Sequence, residues 1–168
     1  MPAIFDNKNS SSPPGAVFHW SAAGAPDAVA TGTDSAGVAA NAFVSAIFIP
    51  VACTLTGLSF LIGGTGGTDK AIAYLWDKDG VLLANSAVAG ATVGTLGTMQ
   101  RLAFTAPVWI PAGLYFVGIQ YNGNTATIRT AITGSYPTAA PAITFGTPAN
   151  ITAPTSFTTA QAPIVQTY

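Results

Sequence analysis

The sequence predicts an all-β protein, an antiparallel β-sandwich of jelly-roll type with an extended N-terminal arm and a proline-rich C-terminal tail. Three observations carry this expectation. Glu is absent from all 168 residues, and no run rich in Glu, Lys, Leu and Arg supplies good helix formers. Apolar residues recur with a period of two, most clearly from Leu114 to Tyr121. Asp79-Gly80 and Asn122-Gly123, pairs that tolerate positive φ, stand between such stretches as hairpin turns require. Antiparallel strands joined by short turns fit a β-sandwich or jelly roll, and no repeat of roughly 20 to 50 residues points to a propeller or solenoid.

The length fits one core, which the texture of the chain places at residues 41–133. Residues 1–40 read as an extended arm: Ser10-Ser11-Ser12-Pro13-Pro14-Gly15 breaks any regular element, and only Val17-Phe18-His19-Trp20 forms an apolar patch. From Asn41 strands begin. Ala42 to Ile49 is the first and Thr54 to Ile62 the second, with Pro50 between them; a strict period of two puts Thr54, Thr56, Leu58, Phe60 and Ile62 on one face. Gly63 to Thr68 is a loop that lacks the Gly-Lys-Ser/Thr ending of a phosphate cradle, so it reads as a turn.

Ala71 to Trp76 is apolar on both faces, and Val81 to Ala84 resumes the pattern after Asp77-Lys78-Asp79-Gly80. Those four residues have the chemistry of a hairpin tip, where a chain with only 7% charged residues meets water. Met99 to Phe104 and Val108 to Ile110 are expected as short strands, followed by a type I turn at Pro111-Ala112-Gly113. Leu114 to Tyr121 sends Tyr115, Val117, Ile119 and Tyr121 to one face and Leu114, Phe116 and Gly118 to the other. Ala126 to Ile132 is expected to return as its hairpin partner, with Arg129 outward. In residues 134–168 five prolines interrupt a Thr/Ala-rich stretch dotted with Ile143, Phe145, Ile151, Phe157, Ile164 and Val165. Such a segment is expected to lie extended against its own domain or a neighbouring subunit.

Composition excludes several functions. Five Lys and Arg against six Asp leave a net charge of -1, too few cations to neutralise a run of phosphates, so nucleic acid is not an expected partner. Ser35 to Thr68 carries no charge, yet Pro50, Gly63-Gly64 and scattered polar residues read as strands rather than a membrane span. No basic region precedes an apolar one at the N-terminus, so the chain is expected to be complete, without a secretory signal, and made in the cytoplasm. One His, one Cys and no Glu give hydrolytic chemistry little to work with; His19 sits between Phe18 and Trp20 as a packing residue would, and Cys53 lies in an apolar stretch. No enzyme, no cofactor and no metal site are expected. Asp77 and Asp79 lack the further oxygen ligands of a calcium loop, and a wet hairpin tip does not separate their pKa values for acid–base work. Among Trp20, Trp76, Trp109, Tyr74, Tyr115, Tyr121 and Tyr136, strand alternation places several in the core, while an exposed one would be free to stack on a sugar ring.

Two stretches carry a family resemblance: IPVACTLTGLSFLIGGTGGTDKAIAYLWDKDGVLLANSAVAG and QRLAFTAPVWIPAGLYFVGIQYNGNTATIRT. In them Gly67 to Lys70, Trp76 to Ser86 and Phe104 to Gly118 resemble the turns and strands of β-sandwich virion structural proteins of tailed bacteriophages. The resemblance covers about half of the chain, from Ile49 to Thr130, and is a texture of strands and turns rather than an active-site signature. It implies a capsid decoration or cement protein on the virion surface, a homotrimer whose partners are the major capsid protein and its own copies. Under that reading Phe5, Phe18, Trp20, Phe145, Phe157 and Ile164 in the two extended segments are the candidate subunit or capsid contacts. The chain is also similar, more loosely, to jelly-roll carbohydrate-binding modules. That alternative implies a glycan partner, as in a fibre or receptor-binding protein, with a calcium ion near Asp77 and Asp79.

Overall fold

A computed structural model describes residues 32–132 and 136–168. Among these residues there is no helix, and the strands are β1 (Thr33–Ala36), β2 (Ala42–Ile49), β3 (Cys53–Leu61), β4 (Lys70–Asp77), β5 (Leu82–Asn85), β6 (Ala91–Thr92), β7 (Met99–Ile110), β8 (Gly113–Tyr121), β9 (Thr127–Ala131), β10 (Thr138–Ala139), β11 (Ala162–Pro163) and β12 (Val165–Thr167). Every ladder is antiparallel. A central sheet runs β10-β2-β8-β4-β5, with β6 beside β4, and two smaller sheets run β12-β3-β7 and β1-β9-β11. The smaller sheets adjoin: Ile62 bridges to Ile128, and Ile164 donates to Arg129 O at 3.0 Å while accepting from Leu61 N at 3.0 Å.

One core lies between the central sheet and the smaller ones. Phe43 and Ile47 of β2, Ala73 and Leu75 of β4, and Val117 and Ile119 of β8 meet Leu58 and Phe60 of β3, Leu102 of β7, Ile128 of β9 and Val165 of β12. A second core covers the opposite face of the central sheet: Val44, Ile72, Tyr74, Trp76 and Phe116 pack beneath Ile143 and Ile151, with Phe145 and Ala153 against them. This explains why β4 has no polar face. It is buried on both sides, by sheet on one and by the C-terminal segment on the other.

The buried aromatics also carry polar atoms that need partners. Trp76 Nε1 donates to Ala149 O at 2.8 Å. Tyr74 Oη donates to Gln120 Oε1 at 2.7 Å, and Gln120 Nε2 donates to the carbonyls of Ile143 and Ala39. The indole of Trp76 lies over Gly118, where an added Cβ would come within 2.6 Å of the ring. Around the edge, Ile143 N bonds Ala40 O at 2.8 Å and Ile151 N bonds Gly80 O at 2.9 Å.

Several expectations are corrected. Thr33–Ala36 falls within the expected arm but pairs with β9, where Asp34 Oδ1 holds Arg129 Nε at 3.0 Å. Arg129 is therefore half-buried and paired rather than simply outward. In β3 the register to β7 shifts between Leu55 and Gly57, so Leu55 is buried while Thr54 and Thr56 are exposed. The bulge reverses the alternation midway, so one period of two cannot describe the strand. β7 is one strand, not two, although residues 104–107 are where its ladder to β3 is interrupted and where Phe104 bridges to Ser86.

β8 and β9 are not hairpin partners: β8 pairs with β2 and β4, β9 with β1 and β11. The turn after Asn122 is redirected by Asp69, whose Oδ2 accepts from Thr125 N at 2.9 Å and Ala126 N at 2.7 Å. This anchoring sends the chain from the central sheet into the other layer. The C-terminal segment pairs with this chain's own strands. Residues 136–168 contribute β10, β11 and β12 to all three sheets.

Two outcomes are expected from this architecture. Gly80 has φ +82°, and an added Cβ would strike the Ile151 carbonyl, so Gly80→Ala should lower unfolding stability by at least ~1 kcal/mol in urea titrations. Burial pushes the Tyr74 phenol from its ordinary value near 10 up to about 12. Between those values the folded chain keeps a proton that the unfolded chain releases, so this contribution is full below pH ~10 and is lost as pH rises towards ~12. Tyr74→Phe should lower the neutral-pH plateau by about 1 kcal/mol and make the alkaline fall shallower, as read from urea unfolding at stepped pH.

Candidate functional site

The charged hairpin is built by its own backbone. Asp77 Oδ1 accepts from Asp79 N at 2.9 Å and Val81 N at 2.8 Å, while Gly80 N donates to Asp77 O at 3.1 Å. Lys78 Nζ reaches Asp79 Oδ2 at 2.6 Å in full exposure, and that hydrogen bond raises the ammonium pKa. The carboxylate of Asp77 thus holds the turn. Among the described residues no group of three or more His, Cys, Asp or Glu is placed to hold a metal ion.

The remaining chemical candidates are similarly occupied. In the glycine loop, Gly63 N bonds Thr127 O at 2.8 Å, Gly64 N bonds Asp34 Oδ2 at 2.7 Å and Thr65 N bonds Thr127 Oγ1 at 2.9 Å. These three amide donors of the loop are thus taken by acceptors of the chain itself. Cys53 packs against the inner core, and burial raises its thiol pKa, the opposite of what an attacking thiolate requires. A hollow of about 650 Å³ between residues 138–142 and 150–158 has no titratable side chain in its lining.

Of the expected contact residues, Phe5, Phe18 and Trp20 lie outside the described residues, as does His19. Phe145 is half-buried against the second core, and Phe157 is half-buried beside Ala131 and Ala162. Ile164 is 1% exposed, between β11 and β12, so it serves this chain's own sheets and offers no surface to a neighbour. Trp76, Tyr74, Tyr115 and Tyr121 are buried, while Tyr136 and Trp109 are exposed, Trp109 at 66%.

Among the described residues, large exposed apolar side chains also stand at positions that were not among the expected contacts. Phe48 and Leu114 stand directly opposite each other across the β2–β8 ladder, Phe48 at 54% exposure. Their alternation puts them on the face that the C-terminal segment covers further along, at Ala46, Val44 and Phe116. Val51, 60% exposed, follows at the corner after Pro50. Beside Leu114 a hollow of about 260 Å³ is lined by Asp77, Lys78, Asp79, Pro111 and Tyr115. In sequence Phe48 sits inside an unbroken apolar run, which carries no sign of where cover stops.

Comparisons with protein-family models, curated proteins and solved structures give no match. The hairpin analysis has a direct check. Asp77→Ala leaves two backbone N–H groups without their acceptor and should lower stability by about 1 to 2 kcal/mol, while millimolar calcium leaves the Tm of the unaltered chain unchanged in thermal melts.

Proposed function

We propose that this chain is a non-enzymatic structural protein of a tailed-phage virion, a capsid decoration or cement protein of jelly-roll type. Its partners are the major capsid protein and its own copies, in a trimer. The observation that carries the reading is the exposed Phe48–Leu114 pair with Val51 nearby, at the end of a sheet whose remaining face is covered. Large apolar residues grouped at one end of a domain mark a contact surface, and the cores of such surfaces are depleted in charge. The strand succession supports the jelly-roll part: the chain passes from the central sheet at β2 to β3, back to β4, out to β7 and back to β8. The stretches resembling virion proteins coincide with the start of β4, the β4–β5 hairpin and the β7–β8 corner.

A scaffold of this kind works by shape. Both faces of the central sheet are packed except at the Phe48–Leu114 end, so the pair is carried on strands already held by two cores, which lowers the ordering cost of association.

The test is a surface substitution. Removing the chain from Ala140 onward would strip cover from Trp76 and Tyr74, so it confuses unfolding with dissociation. Phe48→Asp or Leu114→Asp instead changes exposed positions. By light scattering the unaltered protein should have the mass of a trimer and each variant should fall towards monomer, with its circular dichroism and Tm retained. A monomeric unaltered protein, or variants that stay trimeric, would overturn assembly through this surface.

A further inference from the structure

β10 is the edge strand of the central sheet, and the hollow of about 650 Å³ lies along its outer side. Residues 138–142 form one wall, and residues 150–156 with Thr158 form the other. The bonds of this edge fix its phase. Ala46 N donates to Pro137 O at 3.0 Å, Ala42 N to Pro141 O at 3.1 Å and Ile143 N to Ala40 O at 2.8 Å, so the odd-numbered residues turn their main-chain groups inward. Thr138, Ala140 and Ala142 therefore turn theirs to the hollow. Thr138 N does so by bonding Ser156 O at 2.9 Å, and Thr158 N on Thr138 Oγ1 at 2.7 Å helps to close that end. Among the described residues nothing bonds the amides of Ala140 and Ala142 on one wall, or those of Thr152, Ala153 and Thr155 on the other.

The prolines leave this edge unguarded. A proline that protects an edge strand turns its missing N–H to solvent. Pro137 and Pro141 have the opposite phase, and Ser45 Oγ donates at 3.1 Å to the Ala46 carbonyl that Pro137 cannot serve. The outer edge keeps its donors although the inner ladder lacks two.

We propose that the hollow binds an extended, uncharged peptide segment of a partner protein, added as a further strand beside β10. The lining selects that occupant. It holds no titratable and no aromatic side chain, so a charged ligand finds no ion pair and a flat ring no stacking partner. Its side chains are mostly short, which leaves the main chain accessible. Outward amides that recur at every second residue match a strand, whose own groups alternate with the same period. Five extended residues, 138–142, span about 16 Å, room for a strand of similar length. This wall pairs with Asn41 to Ser45 and stops short of Phe48, so the peptide site is separate from the surface proposed for copies of this chain and stands without that reading.

The experiment is an amide NMR titration of the isotope-labelled full chain with an N-acetylated, C-amidated hexapeptide of alternating Thr and Ala, and with the same peptide N-methylated at every residue. The expected result is saturable shifts of the Ala140, Ala142, Thr152 and Ala153 amides, with slowed hydrogen exchange at Ala140. The N-methylated peptide keeps the side chains but lacks the amide donors, so it should not saturate. Ala140→Pro removes an amide that bonds nothing in the described chain, so it should weaken binding at least ~10-fold with circular dichroism and Tm retained. Thr152→Pro on the facing wall carries the same expectation and serves if the first variant does not fold. No saturation by the unmodified peptide, equal binding of the two peptides, or full binding by the folded variants overturns the inference. So does a slowly exchanging Ala140 amide in the free protein, which would mean that this chain or a copy already fills the hollow. Phe48→Asp should bind the peptide as the unaltered protein does, so failure of the assembly reading and failure of this one are read separately.

Discussion

The structure depends on the burial of Tyr74 and Trp76. Both side chains leave β4 on the same face, stack at 5.2 Å between centroids, and carry a polar atom that must be satisfied away from water. The partners come from outside the strand. Ala149 accepts from the indole, and Gln120 links the phenol to the Ile143 carbonyl. The C-terminal segment is therefore held in place by hydrogen bonds that only that segment can supply, in addition to the apolar contacts of Ile143 and Ile151. Cover of the central sheet and satisfaction of its buried polar atoms are one event.

From that constraint the layering follows. A sheet with two apolar faces needs a layer on each side, so the smaller sheets take one face and residues 141–153 the other. Strands must then change layer repeatedly, and three of the changes fall at Pro50, at Pro111 and at the Asp69-anchored loop after Asn122. The loops use their amide groups to secure these corners. That is why the carboxylates and glycines that resemble chemical motifs are occupied by structural bonds, and why the surfaces at Phe48 and Trp109 are side-chain surfaces.

Those surfaces differ in character. Phe48 and Leu114 extend an interior pattern past the end of its cover, so they look like core residues without a lid. Trp109 instead follows an ordinary alternation, with polar neighbours on an outer face.

The sequence by itself determined the strand content, the hairpin at Asp77 to Gly80, the corner at Pro50 and the double burial of Ala71 to Trp76, because each rests on neighbours within a few residues: propensity, turn chemistry and alternation. Other features required the tertiary structure. The bulge at Thr56, the separation of β8 from β9 and the pairing of Thr33–Ala36 depend on partners distant in sequence, as do the two roles of Phe48 and Ile164, one exposed and one buried although both are apolar residues in apolar runs. Local pattern states that a side chain is apolar; which apolar side chains receive cover is decided by how far residues 136–168 reach across the sheets.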